Sequence, residues 1–533
     1  MKNNLKIMSM VCISAFVVLA GCTKKLDLVP TNAVTNNVVF ATPLGYKQAL
    51  AKIYGTMLTS GPNGPSSGGD LPTQIISDGG NSDFFRNIWF LQCLSTDEAG
   101  WTYANNTDPI GIHQMSWSSV NTAVKATYYR CFYIITLANN FITEASDDNI
   151  SKRGISGTDA DNVRLYKQEA RFLRAYEYSL LMDMFGNPPF IDETTPIGST
   201  AFPPQIGRAG IFNYIESELK DIETKLADPR ANEYGRVDKA GAWSLLARNY
   251  LNAEVYTGTA RYTDAITYCN KVIGAGYTLH NDYKELMLAD NDLNTDEFIW
   301  ILPFDGLATQ TYGGTTVLVH GPSGVPGSVS GSSGTWGCIR VTQQFVGLFD
   351  AQDIRGQFYT NGQTLIMTTL IGDGTAGYSS TKFRNVTRSG DIAPRIDASR
   401  NFSSVDMPIF RLAEIYLIYA EAVVRGGTGG DNTTALGYLQ QLAVRGRPAD
   451  PNASSFPQLT LQYILDERGR ELFWEGHRRT DLIRYGQFTT AAYLWAWKGG
   501  IASGTAVDSK YNLYPIPSDD LASNPGLVQN PGY

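Results

Sequence analysis

Two pairs of neighbouring carboxylates, Asp97-Glu98 and Asp466-Glu467, are the groups in this chain that could attack a glycosidic bond. Such hydrolysis needs two carboxyl groups flanking the scissile oxygen. Sequence neighbours seldom face each other across a substrate, which disfavours Asp97-Glu98. Glu467, Arg470, Glu471 and Arg478 recur at near-helical spacing and read as ion pairs along the surface of one helix. The four histidines, His113, His280, His320 and His477, are scattered and form no H-x-x-x-H or H-E-x-x-H pattern. No phosphate-cradling G-x-x-x-x-G-K-[ST] occurs. The sequence thus points to no catalytic residue, no metal and no cofactor. Lys plus Arg is 43 against 51 Asp plus Glu, a net charge of −8 with no basic run, which makes nucleic acid a poor partner.

Cysteine chemistry divides by position. Lys2 and Lys6 precede an apolar run from Ile7 to Ala20. That run is shorter than the roughly 20 residues a bilayer span needs. It ends in Leu19-Ala20-Gly21-Cys22, which resembles the bacterial lipobox. Residues 1–21 read as a lipoprotein signal peptide, Cys22 as an acylated N-terminus and residues 22–42 as a tether. Cys93, Cys131, Cys269 and Cys338 lie far apart with no Cys-x-x-Cys, so zinc spacing is absent. Cys131 and Cys269 fall inside apolar helical patterns, which favours buried thiols over disulfides.

The elements that must carry any site are mostly helical. Helical periodicity is read over Pro43–Met57, Val120–Ala145, Asp161–Phe185, Ile211–Leu226 and, as one helix, Leu461–Arg484. Gly186-Asn187-Pro188-Pro189 stops the third of these. Trp243, Leu246, Ala247 and Tyr250 match the first helix of a tetratricopeptide repeat, with Tyr262–Ile273 as its partner. Leu412, Ile415, Tyr416 and Tyr419 repeat that spacing loosely, followed by Ala435, Leu439 and Leu442. Such pairs bury their faces only by stacking. The fold class expected is mainly α: stacked tetratricopeptide-like helix pairs with a loop-rich irregular ligand-binding lobe. The body spans 43–533, with loop-rich insertions at about 61–118 and 305–400. The second insertion carries Tyr312 and Trp336 among Gly, Ser and Thr, and long insertions with exposed aromatics are rarely inert. The tail Tyr511–Tyr533, rich in Pro and Asn, is expected to lie extended over the body.

Several of these motifs occur together in one family. The lipobox, Phe410-Arg411-Leu412-Ala413-Glu414-Ile415-Tyr416-Leu417, Glu467-Arg468-Gly469-Arg470-Glu471-Leu472, Glu475-Gly476-His477-Arg478-Arg479-x-Asp481-Leu482 and Tyr514-Pro515-Ile516-Pro517 resemble the SusD/RagB family of glycan-binding outer-membrane lipoproteins. The resemblance covers essentially the whole mature chain. It implies a surface-facing outer-membrane protein. It also implies delivery of a captured glycan to a SusC-like, TonB-dependent β-barrel transporter. Within the family, the chain resembles a starch-binding member more closely. Ser95-Thr96-Asp97-Glu98 with Trp101 and Asn106, Phe85-Arg86, Tyr312-Gly313-Gly314 and Trp336-x-Cys338 resemble its ligand-holding stretches. That resemblance implies an α-1,4-glucan (malto-oligosaccharide) site made of Asp78, Arg86, Trp101, Asn106, Tyr312 and Trp336.

These residue types suit a sugar. Aromatic rings cover the C–H face of a pyranose; Arg86, Asn106 and Asp78 supply donors and acceptors for its hydroxyls. Burying about 75 Å² on each of three rings gives roughly 6 kcal/mol before the costs of association. Binding in the μM to mM range follows, about −8 to −4 kcal/mol. Trp243, Phe473, Trp474, Tyr128 and Tyr416 are read as core, and Trp117, Trp495 and Trp497 as packing. Two other readings remain open: a different glycan at the same site, or a peptide held on the helical face as in other tetratricopeptide scaffolds.

Overall fold

The computed structural model describes residues 36–65, 68–195 and 201–533. The signal segment, Cys22 and the tether up to residue 35 lie outside the described residues. The described chain enters the body early: Phe40 is buried and packs on Tyr46 and Phe141, with ring centroids 5.0 and 6.0 Å away.

Several helices begin where a side chain answers open first-turn amides. Asn121 Oδ1 accepts from Ala123 N at 3.0 Å and starts Thr122–Glu144. Asp238 Oδ1 accepts from Ala240 N at 2.8 Å and starts Lys239–Leu251. Asp431 Oδ1 accepts from Thr434 N at 2.8 Å and starts Asn432–Gly446. Gly157–Phe185, which begins four residues before its expected start, stops at Gly186, whose φ of +74° suits glycine.

The helices stack in series. Thr122–Glu144 packs on Gly157–Phe185, which packs on Arg208–Ile222; Lys239–Leu251 packs on Tyr262–Gly274. Leu246, Ala247 and Tyr250 are buried at the first motif, while Trp243 is half-buried with its Nε1 donating to Glu223 Oε2 at 2.8 Å. Tyr262–Gly274 in turn packs on Leu412–Val424, and that helix on Asn432–Gly446. The stack is thus continuous in space although an insertion separates its halves in sequence. A two-stranded antiparallel ribbon, Phe298–Leu302 with Met407–Arg411, closes the neck of that insertion and leads directly into Leu412–Val424. The large insertion is therefore a lobe mounted on one joint of the scaffold. The first insertion holds more helix than expected, including Phe84–Trp89 and Thr107–His113.

One expected element is divided. Leu461–Arg484 is two helices, Leu461–Glu471 and Arg478–Arg484, separated by a corner where Trp474 has φ +63° and Gly476 φ +83°. A left-handed tryptophan costs about 1–2 kcal/mol. Burial offsets it: Trp474 is fully buried, its N and Nε1 donate to Glu98 Oε1 and Glu98 O at 3.2 and 3.1 Å, and its ring meets Trp89 edge-on at 5.2 Å. The corner also corrects the surface reading of the nearby charges. Glu467, Arg470, Glu471 and Arg478 are all buried. Arg355 Nη1 donates to Glu467 Oε1 at 2.7 Å and Glu471 Oε2 at 3.0 Å. Arg411 reaches Glu297, Glu471 and Glu475 at 2.7–2.8 Å, and Arg445 pairs with Glu297 and Glu471. Scaffold, lobe and ribbon meet in this buried network.

Other packing expectations hold. Phe473, Tyr128, Tyr416, Trp117 and Trp495 are buried, and Trp497 is half-buried. Cys93, Cys131, Cys269 and Cys338 are buried thiols. The tail lies over the body and sinks into it at Tyr514 and Ile516, with Tyr514 Oη donating to Leu91 O at 2.8 Å.

His113, fully buried at the end of its helix, has Nδ1 3.3 Å from the Leu94 carbonyl. Burial pushes its pKa down to about 4. An unfolded chain takes up this proton near pH 6.5, so neutral His113 contributes stability above that pH and loses it as pH falls through about 4. The loss amounts to roughly 3 kcal/mol. In urea titrations the stability advantage of wild type over His113→Gln is expected to shrink by that amount between pH 7.5 and pH 4. An advantage that stays constant with pH would reject this assignment.

Candidate functional site

Three stretches, two of them near in sequence and the third some two hundred residues on, form one hollow of about 410 Å³. The first runs from Asp78 through the helix Phe84–Trp89. Asp78 Oδ1 accepts from Gly80 N at 2.9 Å, which shapes the turn ahead of that helix. The second is the strand Gly100–Trp101, which pairs antiparallel with Ile339–Arg340. Thr102 N extends this pairing to the Cys338 carbonyl at 2.9 Å. The third, Tyr312 to Cys338, belongs to the lobe. The pairing of the second with the third sets Trp101 beside the Trp336–Cys338 backbone.

All six residues carried over from the sequence, Asp78, Arg86, Trp101, Asn106, Tyr312 and Trp336, line this hollow. Asp78 and Asn106 are exposed, whereas Arg86, Tyr312 and Trp336 are half-buried. Asn106 precedes the helix Thr107–His113 without capping it, which leaves its amide open to the hollow. Arg86 lies over the Phe90 ring at 5.3 Å and forms no ion pair among the described residues. Its guanidinium has only a long contact, 3.5 Å, to Gly80 O. Burial lowers its pKa, with Cys338, Asp83 and Asp78 working the other way. Its guanidinium donors are thus largely left for the hollow that it lines.

The rings are supported from behind. Trp336 stacks on His320 at 5.2 Å and 21°, and its N donates to His320 O at 2.5 Å. Buried His320 has its pKa lowered by burial and its Nδ1 2.7 Å from Gly334 O, so a neutral ring backs the indole. Tyr312 packs on Phe402 at 5.4 Å and lies 6.4 Å from Trp336, tilted by 57°.

Two expectations change. Trp101 is only 3 % exposed and sits edge-on between Phe90 and Tyr103, so it is a wall of the hollow and not an open stacking face. Asp97 and Glu98 are buried away from the hollow. Asp97 is held by Arg478 through two 2.8 Å bonds, and burial raises Glu98 to about 8. Tyr103, 45 % exposed, is the aromatic that sequence reasoning missed; it lines the hollow and its hydroxyl donates to Trp336 O. Its position two residues beyond Trp101, beside Ala104-Asn105-Asn106, was the available signal. Neither carboxylate pair faces the hollow, and among the described residues no group of His, Cys, Asp and Glu could hold a metal ion.

Aromatic faces beside open amide, guanidinium and carboxylate groups define a binding surface. A sequence model described as the SusD family matches residues 355–533. The starch-binding protein SusD of Bacteroides thetaiotaomicron is 34% identical, with 96% of each chain covered. SusD-like protein P2 of Formosa agariphila is 23% identical over 79% of this chain and 83% of its own. Among solved structures, surface glycan-binding protein A from Bacteroides thetaiotaomicron in complex with laminarihexaose superimposes with a TM-score of 0.66 at 18% identity. That match covers 91% of this chain and 98% of the other, and it shows the fold. The chain belongs to the SusD family, whose members are carbohydrate-binding and non-catalytic.

Proposed function

We propose that this chain captures α-1,4-glucan, as starch or malto-oligosaccharide, at the cell surface and passes it to a SusC-like, TonB-dependent β-barrel transporter. The observation that carries the reading is the pair Tyr312 and Trp336, two half-exposed rings tilted by 57° on one concave surface with Arg86, Asn106 and Asp78 at its rim. Successive tilted platforms suit a glucan that curves; a flat chain such as cellulose would touch one ring and miss the other. The 34% identity to a protein named starch-binding supports the same choice. A shallow hollow with few rings gives weak, rapidly released binding, which suits a hand-over. Lipid on Cys22 would hold the protein at the outer membrane. No helix among the described residues is long and apolar enough to cross a membrane.

Native gels cast with amylopectin, with laminarin or without polysaccharide test the glycan. Retardation by amylopectin and not by laminarin is expected. Retardation by laminarin alone would reassign the site to a β-1,3-glucan, and equal mobility in all three would reject a glucan ligand. Palmitate labelling in cells tests the anchor: label on wild type and none on Cys22→Ala is expected, and equal labelling would remove it.

A further inference from the structure

The rings and the guanidinium of this hollow come from separate parts of the chain, and one buried carboxylate joins them. Asp83 is fully buried and precedes the helix that carries Arg86. Its Oδ1 accepts from Arg86 N at 3.1 Å, as an N-cap does. The same oxygen accepts from Gly314 N at 2.8 Å, and Oδ2 accepts from Thr311 Oγ1 at 2.8 Å. Thr311 and Gly314 bracket Tyr312 in sequence. Asp83 therefore holds the chain on both sides of Tyr312, through the Thr311 hydroxyl and the Gly314 amide, and, with the same carboxylate, the first turn beneath Arg86.

The segment it holds is built to let it in. A Cβ on Gly313 would lie 2.0 Å from Asp83 Cγ, so only glycine fits there. Gly314 has φ +52° and passes against the Phe304 ring, where a Cβ would lie 2.3 Å from Cε1. Thr311 Oγ1 also accepts from Gly313 N at 3.0 Å, which closes a small turn around the carboxylate. Without Asp83 the Thr311 hydroxyl and the Gly314 amide would be buried donors lacking their acceptor.

We propose that Asp83 is the positioning residue of the glycan site: it touches no sugar and sets the separation of Tyr312 from Arg86 that the sugar reads. This inference rests on the glycan-binding reading of the hollow. An asparagine can take over most of the role, because its Oδ1 still accepts from Arg86 N and Gly314 N while its amide donates to Thr311 Oγ1. An alanine cannot.

The test compares Asp83→Ala, Asp83→Asn and Thr311→Val in the full mature chain, by calorimetry with maltoheptaose and by amide hydrogen exchange at Gly314. Asp83→Ala is expected to weaken binding at least tenfold and to speed Gly314 exchange at least a hundredfold. Asp83→Asn should stay within about threefold of wild type in affinity, and Thr311→Val should fall between them. On a Tyr312→Ala background the Asp83→Ala effect on affinity should largely vanish, because the ring it positions is gone. Unchanged Gly314 exchange in Asp83→Ala, or a full tenfold loss persisting without the Tyr312 ring, would overturn the proposal. If Asp83→Ala fails to fold, Asp83→Asn and Thr311→Val decide by their order in affinity and exchange. A wild type that binds no glucan would reject the function, while Gly314 exchange, which needs no ligand, still decides whether Asp83 holds the loop.

Discussion

Removing both half-exposed rings, in Tyr312→Ala/Trp336→Ala, is expected to weaken malto-oligosaccharide binding by roughly 900-fold. Each ring that hides about 75 Å² contributes roughly 2 kcal/mol, and two contribute about 4 kcal/mol. From a wild type in the μM to mM range the double variant drops out of reach of calorimetry. The rings lie 6.4 Å apart and share a ligand, so the single variants will not sum to the double. Each ring lies at the edge of its packing, Trp336 on His320 and Tyr312 on Phe402, so the folded state should survive both changes. Circular dichroism checks this alongside. A double variant that is folded and binds within threefold of wild type would show that the sugar is held elsewhere. Conversion of Trp336 to Phe should keep most of the affinity, because a smaller flat face remains.

What the sequence made legible follows from which signals are local. Helix periodicity, the tetratricopeptide spacing and the stop at Gly186 are properties of one turn or a few, and the structure places those helices within a few residues of where they were read. The break inside Leu461–Arg484 was hidden because its cause is distant: the left-handed Trp474 is held by Glu98, far away in sequence. For the same reason Glu467 and Arg470 read as surface partners. Their helical spacing is real, but Arg355 and Leu348 arrive from the lobe to cover them. At the site, residue types were legible and exposure was not. Trp101 and Trp336 look alike in sequence, yet one is a buried wall and the other an open face. Asp83 carries no sequence signal beyond a helix cap, since its second and third bonds go to Thr311 and Gly314.

Glu471→Ala is expected to destabilise the protein by about 3–5 kcal/mol, the cost of removing one partner from a buried charge network. Glu471 is fully buried and sits where three cations converge. Arg411 Nη1 donates to Oε1 at 2.7 Å, Arg355 Nη1 donates to Oε2 at 3.0 Å, and Arg445 Nη2 donates to Oε1. Burial alone would raise the carboxyl's pKa; Arg445, Arg411 and Arg355 hold it far below the usual carboxylate range. Alanine leaves those buried guanidiniums with one anion fewer. The cost falls on the joint between parts, because Arg355 belongs to the lobe, Arg411 to the ribbon and Arg445 to Asn432–Gly446. Urea unfolding followed by far-ultraviolet circular dichroism measures it. Lys225→Ala, which breaks the exposed pair with Asp221, should leave the urea midpoint unchanged and serves as the control. A Glu471→Ala midpoint equal to wild type would mean that the network is solvated and that the lobe is held by apolar contacts alone. Because the network supplies none of the hollow's lining, Glu471→Ala at low urea should bind malto-oligosaccharide with nearly wild-type affinity. That result would separate what holds the lobe on the scaffold from what the lobe holds.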